Sequence, residues 1–524
     1  MDSNSPTRLF PLSRSHEPAS VALSILDATV VRFAPTGAIW LFEDFAADEN
    51  TLLRHLQASL IQTLDRFPQW AGQLQWAPFQ PGRTHRPMIA FNTASDPGVE
   101  WSVVRLAQPI ASFAPTASER ARNGAWAGDA FTQNIFLSET RLALANLRDY
   151  EGLPAMTIQI TLFDGAGFAI GIKMAHCLAD AQALMVFVHQ WAAACRVLHG
   201  HANAISPMDD PVFDPSVLDA KASGDIHAET PDPALLATAR SLPLHRFDWW
   251  ETSDPDYPPA MVPNTENSRP SSEYLPPDTT LSPSTPAPWA TWDGSKQVTY
   301  TQLHFTGPEL DHLRHLARSQ LPTSHSPETG PPIISRLDAL LAHIWQLITQ
   351  ARALQHCPDQ VYLNVTLGAR PRLIPPLPPS SLGSPIFIAH AHARATDICA
   401  SPLGHTAARI RAAIQHFQPD TLGAMLYDAG REVAPQRLWQ GFMGQRHTLV
   451  TSWLRTGVYD VGFDGRALRP RYVHAVIPKM DGCLQVMDSG VLDGGIDLAV
   501  YLDAETAQWV VDHRWDLDGY LVDS

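Results

Sequence analysis

Apolar residues follow two different periods along the chain. Between residues 50 and 65 they recur every three to four positions, which predicts an amphipathic helix with Asn50 or Thr51 as its cap. Between residues 156 and 174 they alternate on either side of Asp164-Gly165, a favoured turn pair, which predicts a β-hairpin. The same patterns predict further strands over residues 20–34, 38–42, 297–305, 361–367, 448–453, 484–487 and 496–502. They predict further helices over residues 181–197, 309–319, 335–352 and 504–513.

Mixed helices and strands in two parts of the chain indicate an α/β fold class. The 524 residues exceed the size at which single cores stop growing, about 250–300 residues, so two domains are expected. Residues 204–295 are rich in Pro, Asp, Ser and Thr and are predicted to be a linker, with one helix near 233–241. We therefore predict an N-terminal half over 1–203 and a C-terminal half over 296–524. The linker is expected to pack onto the body because it contains Trp249, Trp250, Trp289 and Trp292.

Composition narrows the possible functions. The net charge is −16 and no Lys/Arg-rich run stands out, which argues against a nucleic-acid partner. The five cysteines form no CxxC pair, which favours a reducing compartment without disulfides and without a bound metal. The sequence has no apolar stretch of about 18 residues and no basic start followed by an apolar core. We therefore expect a cytoplasmic protein without a membrane span.

The strongest local signal for chemistry is His176, with Asp180 four residues later, directly after the predicted hairpin. An imidazole can take a proton from an attacking hydroxyl near neutral pH. Asp180 can orient the histidine loop, anchor it to a distant cation, or cap the following helix. With 22 histidines in the chain, however, an HxxxD match is expected by chance, and a packed histidine is the alternative interpretation. The neighbouring Cys177 is expected to be buried and inert rather than a nucleophile.

The surroundings of His176 change this balance, because the chain resembles the BAHD acyltransferases, a coenzyme A-dependent family of plants and fungi. The resemblance covers almost the whole chain, with its matching segments in order from near residue 8 to near residue 510. The long linker and the YDVGFDG sequence are more similar to the fungal secondary-metabolite branch, which includes trichothecene 3-O-acetyltransferase-like enzymes. Besides HxxxD, the matching segments are the LSILD that ends at Asp27 and residues 56–73, 334–352, 364–386 and 450–465.

The resemblance implies a fold of two chloramphenicol-acetyltransferase-like domains, each a mixed sheet flanked by helices, with a channel between them. His176 would be the general base in that channel. Asp180 would turn away from the substrate and pair with Arg370, so that this arginine supports the loop. Thr451 would donate a hydrogen bond to the developing oxyanion, and Trp453 would shape the acceptor pocket. Without the resemblance, Arg370 reads as a solvated surface arginine, and the other two as packing residues of a strand.

The implied reaction is acyl transfer from coenzyme A to a hydroxyl, less readily an amine, of a small secondary metabolite. Acetyl is the expected group, although a longer acyl chain fits the same pattern. Acetyl-CoA or another acyl-CoA would be a co-substrate, and no permanently bound cofactor or metal is expected. The enzyme is expected to act as a monomer.

Two alternatives remain open. A carrier-protein-dependent condensation enzyme of the same fold normally shows HHxxxDG, and Ala175 replaces its first histidine here. A degenerate relative that binds a metabolite without catalysis would explain why the family's DFGWG element is altered at Gly462, Phe463, Asp464 and Gly465. Asp460 or Asp464 is a candidate to replace the missing carboxylate. Two further departures are Ala181 in place of Gly and Ser384 in place of the frequent Asn.

Overall fold

The computed structural model describes residues 5–13, 17–45, 48–201, 203–321, 332–464 and 469–515. The strands in the first half and linker are β1 (Thr7–Leu9), β2 (Ala19–Ala22), β3 (Thr36–Phe42), β4 (Gln73–Trp76), β5 (Pro87–Phe91), β6 (Val99–Arg105), β7 (Ala125–Ala127), β8 (Met156–Leu162), β9 (Phe168–Met174), β10 (Phe247–Asp248) and β11 (Thr285–Pro286). Those that follow are β12 (Val298–Phe305), β13 (Gln360–Gly368), β14 (Ile386–Arg394), β15 (Leu438–Trp439), β16 (His447–Ser452), β17 (Tyr472–Ala475), β18 (Cys483–Asp488) and β19 (Ile496–Asp503).

The α-helices cover the two halves and the linker. They are α1 (Ile25–Thr29), α2 (Glu49–Leu64), α3 (Ala117–Asn123), α4 (Ala181–Leu198), α5 (Ser216–Asp219), α6 (Pro233–Arg240), α7 (Val262–Ser268), α8 (Gly307–Ser319), α9 (Arg336–Ala351), α10 (Ala395–Ala400), α11 (Leu403–Gln415), α12 (Pro419–Gly430) and α13 (Ala504–His513). Most of the long periodic segments therefore form the predicted elements, because each has one apolar face to bury.

Two mixed sheets organise these elements and confirm the α/β class. The first has six strands in the order β1-β6-β8-β9-β3-β17, and the second has seven in the order β14-β13-β16-β18-β19-β12-β7. Each sheet receives one strand from the other part of the sequence, since β7 pairs with β12 and β17 pairs with β3. The sheets are thus tied together through backbone hydrogen bonds. The boundaries at residues 203 and 296 stay a prediction.

The predicted hairpin is confirmed as β8 and β9, which pair from Met156 opposite Met174 to Leu162 opposite Phe168. Every residue of β8 is buried, because the sheet is covered on both faces. Asp180 caps α4, accepting a hydrogen bond from the backbone N–H of Ala183 at 3.0 Å. The hairpin and this buried helix fix both ends of the short segment that carries His176.

The strand predicted over residues 20–34 is wrong in part. Only Ala19–Ala22 is extended, and Ile25–Thr29 forms α1. A capping box starts this helix, because Ser24 and Asp27 bond each other's backbone N–H groups. A short apolar run does not by itself distinguish a strand from a buried helix. The cap predicted for α2 is also wrong, since Asp48 rather than Asn50 or Thr51 occupies that position.

The linker packs onto the body, as predicted from its tryptophans. Trp249, Trp250 and Trp289 are buried, and Trp292 is half-buried. Charged groups add to this attachment, since Arg246 of the linker pairs with Asp428 at 2.5 Å and with Glu432 at 2.8 Å. The linker is thus part of the folded body along much of its described length.

Among the described helices, none has the length and apolarity needed to cross a membrane.

The five cysteines are all free thiols. Within the described ranges, no group of three or more histidine, cysteine, aspartate or glutamate side chains has an arrangement suited to a metal ion.

Candidate active site

His176 lies in a single 3-10 turn, His176–Leu178, directly after β9. Cys177 and Leu178 are buried, whereas His176 remains partly exposed. Its Nδ1 lies 3.0 Å from the hydroxyl oxygen of Ser384, which comes from the loop before β14. Burial of Cys177 also raises the pKa of its thiol, so the adjacent sulfur stays protonated and is a poor nucleophile.

The second ring nitrogen of His176 is in a different situation. Nε2 has no hydrogen-bond partner among the described residues, and it is not one of the polar atoms enclosed by packing. Burial of the ring lowers the pKa of His176 below its ordinary value of 6.5, and the charge of Asp180 opposes this shift. The imidazole is therefore neutral near pH 7. A neutral ring with one nitrogen held and the other reachable can accept a proton.

An aromatic contact completes the surroundings of the imidazole. The Phe33 ring meets the His176 ring edge to face, with centroids 5.7 Å apart and planes at 87°. Phe33 lies just before β3, and β3 pairs with β9 so that Thr36 is opposite Met174. The start of one strand and the end of its neighbour thus bring Phe33 and His176 to the same edge of the six-stranded sheet.

Behind Ser384 lies a buried carboxylate. Asp27 accepts hydrogen bonds from the backbone N–H of Ser384 at 2.5 Å and from the hydroxyl of Ser24 at 2.6 Å. Burial raises the pKa of Asp27 to about 6, and these hydrogen bonds oppose the rise. Gly383 approaches this carboxylate so closely, with φ +104, that a Cβ atom would lie 2.9 Å from an Asp27 oxygen. Asp27 therefore fixes the backbone that presents Ser384 to His176.

Asp180 and Arg370 form the ion pair that the resemblance implies. Nη1 of Arg370 lies 2.5 Å from Oδ2 of Asp180, and Nη2 lies 3.1 Å from Oδ1. Both side chains are buried, with exposures of 7% for the arginine and 9% for the aspartate. Asp180 thus has its carboxylate occupied by a cation and by the N-terminus of α4. It does not hydrogen-bond to the His176 ring.

Arg370 also holds the loop that carries Ser384. Its guanidinium donates to the backbone oxygen of Ser381 at 2.9 Å and to that of Gly383 at 3.1 Å. The backbone N–H of Asp180 donates to the same Gly383 oxygen at 3.1 Å. Removal of one partner from a buried pair costs about 3–5 kcal/mol because an uncompensated charge remains. This ion pair therefore locks the histidine loop to the C-terminal half.

Thr451 and Trp453 lie at the end of β16. Because β13 and β16 run parallel with Val365 opposite Val450, their carboxyl ends reach the same edge as Arg370. Trp453 is 5% exposed and belongs to the same apolar cluster as Ala175, the neighbour of His176. Neither residue hydrogen-bonds to His176 among the described residues. The structure thus joins Asp180 and Arg370 directly, links both to His176 only through its loop and the Ser384 loop, and places the other two residues at the same sheet edge as Arg370.

The altered family element follows Trp453. Phe463 is buried against Trp191, with ring centroids 4.7 Å apart. Asp464 is 3% exposed, whereas Asp460 forms an exposed ion pair with Arg469. Gly465 lies outside the described residues. Asp464 is therefore the better placed of the two carboxylates for a buried role in this segment.

A cavity of about 230 Å³ lies next to the Asp27 carboxylate. Its walls come from the N-terminal half, the linker and the C-terminal half, and they are mostly apolar. His176 does not line it, so Asp27 and the Ser384 loop stand between the cavity and the imidazole. Representative lining residues are Ser24, Asp27, Val212, Leu218, Leu377 and Leu382.

Sequence reasoning did not identify Ser384, Asp27 or Phe33 as site residues. Ser384 was visible only as a departure from the frequent Asn, and Asp27 only as the end of the LSILD segment. Phe33 lay inside the range predicted as a strand. For Ser384 and Asp27 the available signal was their position in segments that resemble the family, whereas Phe33 lies outside those segments. None of the three has a local pattern that indicates contact with His176.

The fold and the site define a class, and comparison with known proteins identifies it. A family model described as the Transferase family matches residues 135–245 and 247–516. This is more than half of the chain, and the protein belongs to this family, the BAHD acyltransferases. It is an enzyme that transfers an acyl group from coenzyme A.

Two similar proteins that match over almost the whole chain come from fungi. The chain is 26% identical to acyltransferase AFT15-1 of Alternaria alternata over 95% of its own length and 94% of that protein. It is 23% identical to acyltransferase abl6 of Leptosphaeria maculans, covering 92% of this chain and 89% of the relative. The crystal structure of F. graminearum TRI101 with ethyl coenzyme A aligns with a TM-score of 0.65 at 15% identity, over 95% and 98% of the two chains. This likeness confirms the two-domain fold.

Proposed function

We propose that the enzyme transfers an acetyl group from acetyl-CoA to a hydroxyl of a small secondary metabolite, with His176 as the general base. One observation carries this proposal. The His176 ring has Nδ1 against Ser384 at 3.0 Å, while Nε2 has no partner among the described residues and is reachable. Because burial lowers its pKa, the ring is available as a neutral base.

The reaction follows from these groups as one addition and one elimination. The acceptor hydroxyl donates its proton to Nε2 of His176 while its oxygen bonds to the thioester carbonyl carbon. The carbonyl oxygen becomes an oxyanion, and Thr451 donates a hydrogen bond to it. The Thr451 hydroxyl has no side-chain partner among the described residues, so it is free for this role. Collapse of the oxyanion then breaks the carbon–sulfur bond, and the imidazolium returns its proton to the coenzyme A thiolate.

The remaining site residues have supporting roles in this proposal. Asp180 and Arg370 hold the loop, since their charges neutralise each other at 2.5 Å and neither reaches the imidazole. Trp453 supplies an apolar wall for the acceptor from the carboxyl end of β16. The substrates would meet in a channel between the two halves, with coenzyme A and acceptor entering from opposite ends. We also propose a cytoplasmic monomer with the division 1–203, 204–295 and 296–524.

A thiol-release assay tests the proposal. Wild-type enzyme is mixed with acetyl-CoA and with a panel of alcohols and matched primary amines, and His176→Ala serves as the blank. Alcohol-dependent thiol release that the variant lacks is the expected result. Release that depends only on amines would overturn the hydroxyl assignment. Transfer only from an acyl carrier protein would favour the condensation-type alternative, and retained metabolite binding without any transfer would favour the degenerate one.

A further inference from the structure

Arg32 lies between two tryptophan rings, one residue before Phe33. Its guanidinium carbon is 3.6 Å from the Trp249 ring centroid and 4.1 Å from that of Trp439. The two indole rings are nearly parallel, at 11°, with centroids 6.1 Å apart. A planar guanidinium can use both of its faces in this way, whereas an ammonium group cannot.

This sandwich joins all three parts of the chain. Arg32 belongs to the N-terminal half, Trp249 to the linker and Trp439 to β15. Nη1 of Arg32 also donates to the backbone oxygen of Gln436 at 2.9 Å. No ion pair of Arg32 occurs among the described residues, and burial lowers the pKa of its guanidinium below the ordinary value. The arginine is therefore held mainly by ring faces and one carbonyl oxygen. Burial of a charge without an ion pair costs free energy, so packing alone does not account for this arginine.

Phe33, the residue after Arg32, connects this sandwich to the imidazole of His176. The Phe33 ring meets the His176 ring edge to face, with the two ring centroids 5.7 Å apart. The imidazole is thus restrained on two sides, by the Ser384 hydroxyl at Nδ1 and by Phe33 at the ring. The Ser384 side is fixed by Asp27 and Arg370. On the other side, the Phe33 N–H donates to the backbone oxygen of Val30 at 3.0 Å, and the side chain of the preceding Arg32 attaches this turn to the linker and to β15.

We propose that Arg32 is a positioning residue for the general base, acting on His176 through Phe33. The inference rests on the proposed function of His176 and names a residue that controls the orientation of its ring. Arg32 does not touch the reacting atoms. It holds the Phe33 peptide against the linker and the C-terminal half, so that the lone pair on Nε2 keeps one direction.

Arg32→Lys keeps the charge and removes the flat stacking surface. We expect kcat to fall by roughly 5–10-fold, because an orienting contact of this kind affects mainly the proton transfer. The KM for acetyl-CoA should change by less than about 2-fold. A looser imidazole is also better solvated, so its pKa rises towards the ordinary value. The acid limb of the pH–kcat profile should then move to higher pH. The charged groups around the ring, which are Asp180, Asp27 behind Ser384, and Arg370, are unchanged in this variant.

A matched control is Arg431→Lys. Arg431 also lies over an aromatic ring, 5.5 Å from the centroid of Tyr427, and donates to the backbone oxygen of Ala228 at 2.7 Å. It joins α12 to the linker, and among the described residues its hydrogen bonds and ring contact do not involve Phe33 or His176. This variant should keep the kcat and the acid limb of the wild type. Should Arg32→Lys fail to fold, Trp439→Leu removes one face of the sandwich and takes its place.

A double-mutant cycle with Phe33→Leu decides whether Arg32 acts through its neighbour. If it does, Arg32→Lys has little further effect on kcat and on the acid limb in the Phe33→Leu enzyme. Additive effects in the double variant, or a wild-type kcat and pH profile in Arg32→Lys, would overturn the proposal. His176→Ala is measured in parallel. A fully active His176→Ala enzyme refutes the base assignment itself, whereas an inactive one beside an unaltered Arg32→Lys enzyme refutes only the role of Arg32.

Discussion

The His176 site and a group of packed histidines both contain imidazoles whose pKa is lowered, and only the first has the geometry of a base. At His176, one nitrogen meets Ser384 and the other is reachable. In the histidine stack, defined as His245, His390, His392 and His447, rings pack face to face or tilted. The ring centroids of His245 and His390 are 4.1 Å apart, and His245 also contacts His447. His245 of the linker is thereby attached to β14 and β16.

The two regions share a low proton affinity but differ in access. Burial lowers the pKa of His245 to about 2, that of His447 to about 3 and that of His390 to about 4, with further lowering of each by neighbouring histidines. In the stack, Nε2 of His245 and Nδ1 of both His390 and His447 are enclosed without hydrogen-bond partners. Burial thus makes an imidazole neutral, but a base also needs an accessible lone pair and a second nitrogen that is held.

The largest expected difference between the two regions follows when one histidine is removed from each. His176→Ala should lower kcat by a factor of about 10²–10⁴ with the fold intact, since general-base catalysis supplies that factor. His447→Phe should change kcat by less than about 3-fold, because its ring packs parallel to Tyr362 at 4.6 Å and Phe preserves that packing. Steady-state kinetics and circular dichroism check both. Similar losses in the two variants would show that burial, not access, determines activity.

The ion pair beside His176 is the next largest effect. Arg370→Ala leaves the buried Asp180 carboxylate without its cation and should lower the free energy of unfolding by about 3–5 kcal/mol. Urea denaturation measures this change. Arg372→Ala is the control, since this half-buried arginine has no ion pair among the described residues, and it should cost no more than about 1 kcal/mol. Adding Asp180→Asn to Arg370→Ala should recover part of the loss. A stable Arg370→Ala protein with an ordered site would contradict the locking role.

The histidine stack should make the fold sensitive to acid. Its folded pKa values lie below 6.5, so as the pH falls through 6.5 the unfolded chain binds protons that the folded chain does not. The free energy of unfolding then decreases, by up to about 2 kcal/mol per imidazole at pH 5. Urea denaturation at pH 7 and pH 5 should show a smaller decrease for His447→Phe than for the wild type. An exposed-site control, His201→Asn, should match the wild type. Equal decreases in all three proteins would contradict this account.

The smallest expected effect concerns Nδ1 of His176. This nitrogen has a partner in Ser384, whereas Nδ1 of His390 and of His447 in the stack has none among the described residues. Ser384→Ala removes the hydroxyl at Nδ1, and a single neutral hydrogen bond contributes about 1 kcal/mol, so kcat should fall by roughly 5–10-fold. Ser384→Asn restores a polar partner of the kind frequent in the family and should recover part of the rate. The pH–kcat profile shows whether the ring has changed its proton affinity. An unchanged kcat in Ser384→Ala would show that His176 needs no partner at Nδ1.

Local patterns predicted the parts of the fold that local periodicity specifies. The alternation over 156–174 gave β8 and β9, and the three-to-four spacing gave α2 and α9, because one buried face requires that period. Periodicity did not predict the helix at residues 25–29, since their short apolar run fits a strand as well as a helix. HxxxD stood out only because the rest of the chain resembled a family.

By itself, then, the sequence determined the order of elements, the fold class, the family resemblance and His176 as the candidate base. Only the tertiary structure decided which side chains meet it. Ser384 reaches His176 across 208 positions, and Asp27 reaches Ser384 across 357. No period in a sequence records such contacts, because they arise where the edges of two separate sheets come together. Arg32 shows the same limit, since its two tryptophans come from the linker and from β15.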